Sequence, residues 1–109
     1  YVLTHDASRA PITFDNGTEF RFLDAAPEAA LDIAREAAGG ADVRIGGGPT
    51  TVRPFLTAGL VDELRLMVVP IVLGSGIRIW DGLRGLERDY AVRSQVAESG
   101  VVHVTFTRR

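Results

Sequence analysis

The sequence contains neither cysteine nor lysine in its 109 residues. Without cysteine the chain cannot form a disulfide bond, a thiolate nucleophile or a cysteine-based metal site. Its two histidines, His5 and His103, have no partner at metal-ligand spacing, so a zinc site is not expected either. All 12 basic side chains are arginine, and they form no basic run of the kind that neutralises a nucleic-acid backbone.

Long hydrophobic runs are also missing. No stretch approaches the roughly 18 apolar residues of a membrane-spanning helix, and there is no signal-peptide pattern. The net charge is −2, and the contents of hydrophobic and charged residues, 46% and 24%, are ordinary for a globular protein. We therefore expect a cytoplasmic protein whose partners include neither nucleic acid nor membrane.

The length and the first residues predict an incomplete domain. A chain of 109 residues is suited to one domain or to part of one. It begins at Tyr1, within a strand-like run over residues 1–5, and domains seldom begin inside a strand. We therefore expect residues 1–109 to form a single domain that lacks its N-terminal strands.

The most informative stretch is a short apolar segment followed by three glycines. Residues 41–45 alternate apolar and polar side chains and predict a strand. Gly46, Gly47 and Gly48 follow at once, and they permit backbone angles and close approaches that a Cβ would prevent. Pro49 then suits the first turn of a helix, where a missing N–H costs little.

Such a junction directs backbone N–H groups and the positive end of a helix dipole toward one point, where an anionic phosphate would bind. Thr50 and Thr51 add hydroxyl groups beside these donors. The pattern matches neither G-x-G-x-x-G nor a phosphate loop ending in G-K-[ST]. The residues alone therefore leave two alternatives open, a phosphate site and a tight turn that binds nothing.

The remaining pattern predicts the element order β-β-α-β-α-β-β-β. The elements, in chain order, are strands at residues 1–3 and 20–22, a helix over 27–38, a strand at 41–45, a helix over 49–58, and strands at 63–73, 90–96 and 102–106. Residues 7–17 are expected to be a loop, and Pro54 predicts that the second helix is short or bent. The fold class is α/β: a mixed, mostly parallel sheet flanked by helices, with a C-terminal antiparallel hairpin.

Several motifs, taken in order, resemble one family. They are VLTH at residues 2–5, RAP at 9–11, AAL at 29–31, VRIGGG at 43–48, AGLVDEL at 58–64 and PIVLGSG at 70–76. Together they resemble the dihydrofolate-reductase-like family, and more narrowly the bacterial proteins that share the C-terminal reductase domain of the riboflavin-biosynthesis deaminase-reductase. The resemblance implies NADPH as the cofactor and hydride transfer to a pterin-, pyrimidine- or flavin-like heteroaromatic substrate.

The same resemblance implies where the cofactor binds. Its pyrophosphate would lie against a glycine-rich turn and the start of the following helix, formed by Gly46, Gly47, Gly48, Thr50 and Thr51. The family also implies a cis peptide bond within the glycine triplet, which we expect between its first two members.

A second group would lie near the adenosine ribose and its 2′-phosphate. The resemblance places Thr4 and His5 there, with Arg9 as the available cation. From the residues alone, His5 is equally a polar strand end and Arg9 a solvated loop arginine. The resemblance also implies that about half of the substrate pocket lies in N-terminal strands and a helix that precede Tyr1, so no catalytic residue is assigned.

Two further hypotheses concern the whole protein, one about its function and one about its oligomeric state. The chain could be a non-catalytic nucleotide-binding or regulatory module that keeps this fold without the reaction. We also expect a homodimer that associates through an unpaired sheet edge, or through residues 63–73 and the region of Trp80.

Overall fold

The structure is a computed structural model that describes every residue from Tyr1 to Arg109. Its contacts divide the chain into two units, Tyr1–Gly47 and Gly48–Arg109. Each unit has its own strands and its own helix.

The first unit contains four short strands. Strand β1 (Val2–Leu3) pairs in parallel with β4 (Phe22–Leu23), and β2 (Ile12–Thr13) pairs antiparallel with β3 (Glu19–Phe20). The β2–β3 hairpin closes through Asn16, whose side-chain oxygen accepts the Thr18 N–H, as is usual for asparagine in turns. β2 lies within residues that were expected to be a loop, because a strand of two residues leaves no detectable alternation in the sequence.

Helix α1 (Pro27–Ala38) follows these strands and confirms the prediction. Pro27 occupies the first turn, where its missing N–H costs nothing, and Gly39 ends the helix in the left-handed conformation at φ 59°. The Gly39 N–H donates to the carbonyls of Arg35 and Glu36. The side chains of Ala30 and Leu31 are buried, so this face of the helix supplies the apolar packing of the unit.

The second unit begins with α2 (Pro49–Thr57), followed by β5 (Glu63–Val68), β6 (Tyr90–Val96) and β7 (Val102–Arg108). The three strands form an antiparallel sheet in the order β5-β7-β6, and a 3₁₀ helix (Leu86–Asp89) leads into β6. The β6–β7 hairpin confirms the prediction from alternating residues on both sides of a glycine-containing turn.

The core of this unit joins helix to sheet. Its buried apolar side chains are Phe55, Leu56, Val61, Leu64, Leu83, Tyr90 and Phe106. The Tyr90 hydroxyl is satisfied inside the core, since it donates to the Val61 carbonyl oxygen at 2.7 Å. Pro54 lies within α2, and the helix is short, at nine residues, as its proline predicts.

Three sequence predictions about strands differ from the structure. Residues 41–45 form no strand, because no neighbouring strand supplies a hydrogen-bonded ladder for them. The predicted mostly parallel sheet is not confirmed either, since β1 and β4 form the one parallel pair. The strand expected over residues 63–73 ends at Val68, because Pro70 has no N–H to donate to a ladder and restricts the residue before it.

Candidate functional site

The N-terminus of α2 is the part of the candidate site with the clearest geometry. Gly48 is the N-cap, in extended conformation at φ −78° and ψ 175°, and no side chain caps the first turn. The N–H groups of Thr51 and Val52 both donate to the Gly48 carbonyl oxygen at 3.1 Å, and Pro49 has no N–H, so the Thr50 N–H is the backbone donor that this turn leaves for a ligand. No acidic residue lies in this turn, so the positive end of the helix dipole has no local counter-charge. This end of the helix can accept an anion.

The glycines before α2 leave space beside the backbone. A Cβ built on Gly46 or on Gly48 would meet no atom within 4 Å. Gly47 adopts φ 122°, which only glycine tolerates without strain. The cis peptide expected between Gly46 and Gly47 is wrong, because every peptide bond is trans. The trans form is favoured by about 2.5–4 kcal/mol for non-proline residues, and the positive φ of Gly47 turns the chain without it.

Thr4, His5 and Arg9 all belong to the first unit and gather at the carboxyl end of β4. The Thr4 N–H donates to the Leu23 carbonyl at 3.0 Å. His5 Nδ1 lies 3.7 Å from Asp24 Oδ1, and the Arg9 guanidinium lies over the Phe22 ring at 4.7 Å. The parallel pairing of β1 with β4 explains this grouping, since it brings the ends of both strands to the same edge.

A short loop after β1 fixes part of this group. The Thr4 hydroxyl accepts the Asp6 N–H at 3.1 Å, and the Asp6 carboxylate accepts both the hydroxyl and the N–H of Ser8. These bonds, the one from the Ser8 hydroxyl first, lower the pKa of Asp6 below its ordinary value of 3.8. Asp6 is therefore an anion at neutral pH and holds the loop in a defined conformation.

Two residues near the candidate site were not anticipated. Asp24 places a carboxylate beside His5, and this contact depends on the parallel pairing of β1 with β4, which strands of two residues do not reveal in the sequence. Arg53 of α2 donates to the carbonyl oxygens of Arg78 and Ile79, the latter at 3.3 Å. No sequence signal reveals the contacts of Arg53, because Arg78 and Ile79 lie 25 and 26 residues further along the chain.

Within each unit, the structure brings one group of candidate residues together. Thr4, His5 and Arg9 lie around β4, while Gly48, Thr50 and Thr51 form the start of α2. No group of three or more His, Cys, Asp or Glu side chains is placed to hold a metal ion. None of the helices has the length and apolar character needed to cross a bilayer.

Comparison with known families gives a match along nearly the whole chain. Residues 3–103 match the model of the family described as RibD C-terminal domain. This span includes every candidate residue in both units.

Individual relatives agree with the family match. The chain is 33% identical over 67 residues to the uncharacterised protein YyaP of Bacillus subtilis (strain 168), a region that is 62% of this chain and 36% of that protein. It is 35% identical over 54 residues to the riboflavin biosynthesis protein RibD of Aquifex aeolicus (strain VF5), which is 49% of this chain and 15% of that protein. The chain therefore spans about a third or less of the curated relatives it matches.

A solved structure supports the fold. A protein of Shewanella sp. PV-4, provisionally named for riboflavin biosynthesis, superposes with a TM-score of 0.69 and 23% sequence identity. The match covers 99% of this chain and 59% of the other. The likeness extends to the mixed α/β fold with its short sheets and two helices.

Proposed function

Because this chain belongs to the RibD C-terminal domain family, we propose that it acts as an NADPH-dependent reductase of the riboflavin-biosynthesis type. The substrate is a pterin-, pyrimidine- or flavin-like heteroaromatic ring. When bound, NADPH supplies a hydride from its nicotinamide ring, so the work of the protein is to bind the cofactor and to orient it.

The observation that carries the proposal is the open N-terminus of α2. Its first turn has no side-chain cap and no acidic residue, and Gly48 leaves the space beside the backbone empty. A pyrophosphate fits such a place, because the Thr50 N–H and the positive end of the helix dipole act on it together. Thr50 and Thr51 would add hydroxyl donors, and Gly46 and Gly47 would permit a close backbone approach.

The residues at the end of β1 support a second contact within their own unit. Thr4 and His5 follow β1, and Arg9 is held by the Phe22 ring, which limits its rotamers while leaving its N–H groups available. We assign these three side chains to the adenosine ribose and its 2′-phosphate. An arginine near this ribose is the usual way in which a site accommodates a 2′-phosphate.

Glycine and threonine substitutions test the pyrophosphate contact separately from folding. Gly48→Ala should fold normally, because Gly48 has φ −78° and its Cβ would meet nothing within 4 Å. A phosphate bound against this backbone would collide with the new methyl group. We expect the Kd for NADPH, measured by quenching of protein fluorescence in the full-length protein, to rise about tenfold, which corresponds to 1.4 kcal/mol.

Thr50→Ala and Thr57→Ala form a matched control pair, since they make the same change at opposite ends of α2. Thr50→Ala should weaken NADPH binding and Thr57→Ala should not. Equal affinities for the wild type, Gly48→Ala and Thr50→Ala would contradict the assignment of this helix end.

The alternative, a non-catalytic nucleotide-binding or regulatory module, rests on the same helix end. It differs in the outcome of a turnover assay. The reductase should oxidise NADPH, followed at 340 nm, with at least one member of a panel of pterins, pyrimidines and flavins. Saturable NADPH binding without oxidation against the whole panel would favour the module instead.

A further inference from the structure

The β2–β3 hairpin of the first unit carries three partly exposed apolar side chains on one face. Ile12 pairs with Phe20 across the two strands, and Phe14 lies two residues after Ile12, so the three side chains share that face. Their exposed fractions are 39% for Ile12, 42% for Phe20 and 46% for Phe14. The Phe14 and Phe20 rings meet edge to face, with centroids 5.3 Å apart and ring planes at 83°.

Backbone hydrogen bonds hold this pair of rings in place. The Phe14 N–H donates to the Thr18 carbonyl at 2.8 Å, and the Gly17 N–H donates to the Phe14 carbonyl at 2.9 Å. Each ring also limits the rotamers of the other. A preformed pair loses little conformational freedom when a ligand binds, so a contact made with it contributes to affinity.

Both ends of the hairpin adjoin the residues assigned to the adenosine ribose. Arg9 lies three residues before β2, so the Cα atoms of Arg9 and of the first residue of β2 are at most about 10 Å apart. At the other end, Phe20 lies two residues before Phe22, whose ring is covered by the Arg9 guanidinium at 4.7 Å. Adenine is bonded directly to this ribose, so a ribose held by Thr4, His5 and Arg9 places the base close to the hairpin.

We propose that Phe14 and Phe20 form the platform on which the adenine base of the dinucleotide stacks, an inference that rests on the proposed function. The base is flat and uncharged, and the hairpin face that carries the rings has no charged side chain on its strands. Glu19 belongs to the opposite face, where it pairs with Arg21 at 3.0 Å. Stacking of a base on an aromatic side chain needs no polar partner, because every base has a π-face.

The size of this face favours a single ring system over a protein partner. Each protein in a standard interface contributes roughly 800 Å² of surface. Three side chains that are each less than half exposed do not supply such an area. One heteroaromatic base needs only the face of a phenylalanine ring, and the charge of the 2′-phosphate is left to Arg9.

The test is a calorimetric titration of the full-length protein with NADPH and with 2′,5′-ADP, which keeps the adenosine and its 2′-phosphate but lacks the nicotinamide. Phe14→Leu and Phe20→Leu each remove a ring and keep an apolar side chain. Tyr1→Leu is the matched control, because it removes a 51% exposed ring before β1, at the end opposite to Thr4. Phe14→Trp keeps an aromatic ring at the platform.

We expect the Kd for both ligands to rise about tenfold in Phe14→Leu and in Phe20→Leu, which corresponds to 1.4 kcal/mol, and to stay within about twofold in Tyr1→Leu and Phe14→Trp. In NMR spectra of the complex, NOEs should join the adenine H2 and H8 protons to protons of the two rings.

NADPH binding that both leucine variants leave unchanged, without such NOEs, would overturn the stacking assignment while the proposed function stands. Another part of the protein would then cover the rings. A wild-type protein that binds neither ligand would contradict the stacking assignment and the proposed function together.

Discussion

The Asp24 carboxylate would disfavour a 2′-phosphate bound at the proposed ribose site. Its carboxylate lies 3.7 Å from His5, on the edge assigned to the adenosine ribose. A carboxylate there suits a ribose hydroxyl and repels a phosphate. Both side chains are well exposed, so the repulsion is screened by solvent and salt.

We therefore expect Asp24→Asn to strengthen NADPH binding roughly 1.4- to fivefold, the range set by exposed charge pairs of about 0.2–1 kcal/mol. NADH has a 2′-hydroxyl in place of the phosphate, and the carboxylate can accept a hydrogen bond from it, so NADH should bind the variant no more tightly than the wild type. The measurement is a parallel titration with both dinucleotides. Equal changes for NADPH and NADH would remove this edge from 2′-phosphate recognition.

The Ser8 hydrogen bonds to Asp6 give a prediction about pH. They lower the pKa of Asp6 in the folded protein, so their contribution to stability is present above the ordinary value of 3.8 and is lost as the pH falls through the lowered pKa. Ser8→Ala removes the hydroxyl donor. In a carbon-detected NMR titration, the Asp6 carboxyl should titrate below 3.8 in the wild type and closer to 3.8 in the variant. An unchanged titration would show that the hydroxyl does not bond this carboxylate.

At the scale of single elements, Arg53 connects α2 to residues 78 and 79. Its guanidinium donates to two carbonyl oxygens, of Arg78 and Ile79, that no strand satisfies. Arg53→Ala should lower the free energy of unfolding by about 1–3 kcal/mol, because hydrogen bonds to charged groups are among the stronger ones.

Urea denaturation measures this loss, and Arg93→Ala, an exposed arginine of β6, is the control that should stay within about 0.5 kcal/mol of the wild type. If Arg53→Ala were as stable as Arg93→Ala, the contact would have no part in holding residues 78–79 against the helix.

The helices and the hairpin could be predicted because their signals are local. α1 has Pro27 at its start and Gly39 after its end, and β6 and β7 alternate around a short turn. The strand predicted at residues 41–45 is absent from the structure. The sequence could not show this, since a strand forms only where a partner strand lies beside it. Val43 and Ile45 alternate as a strand would, and that pattern does not supply the ladder.

In the candidate site, too, only the residues that are adjacent in sequence could be grouped in advance. The glycine triplet and the start of α2 are adjacent in sequence, so a local pattern was enough to group them. The contacts of His5 with Asp24 and of Arg9 with Phe22 depend on the pairing of β1 with β4. Register of this kind is not readable from two-residue strands, so Asp24 was not foreseen as a neighbour.

For the molecule as a whole, family membership and site geometry support the same account by different routes. The family match extends over residues 3–103 and is one basis of the proposed reductase function, while α2 presents an uncapped helix end that suits a phosphate.

The most direct test of the central claim is the ³¹P NMR spectrum of NADPH added to the full-length protein. The pyrophosphate and the 2′-phosphate give separate signals, so each assigned group has its own readout. The account predicts that both signals shift or broaden on binding, that Gly48→Ala diminishes the pyrophosphate change, and that Arg9→Ala diminishes the 2′-phosphate change. Two signals that keep the positions and widths of free NADPH at saturating protein would contradict it.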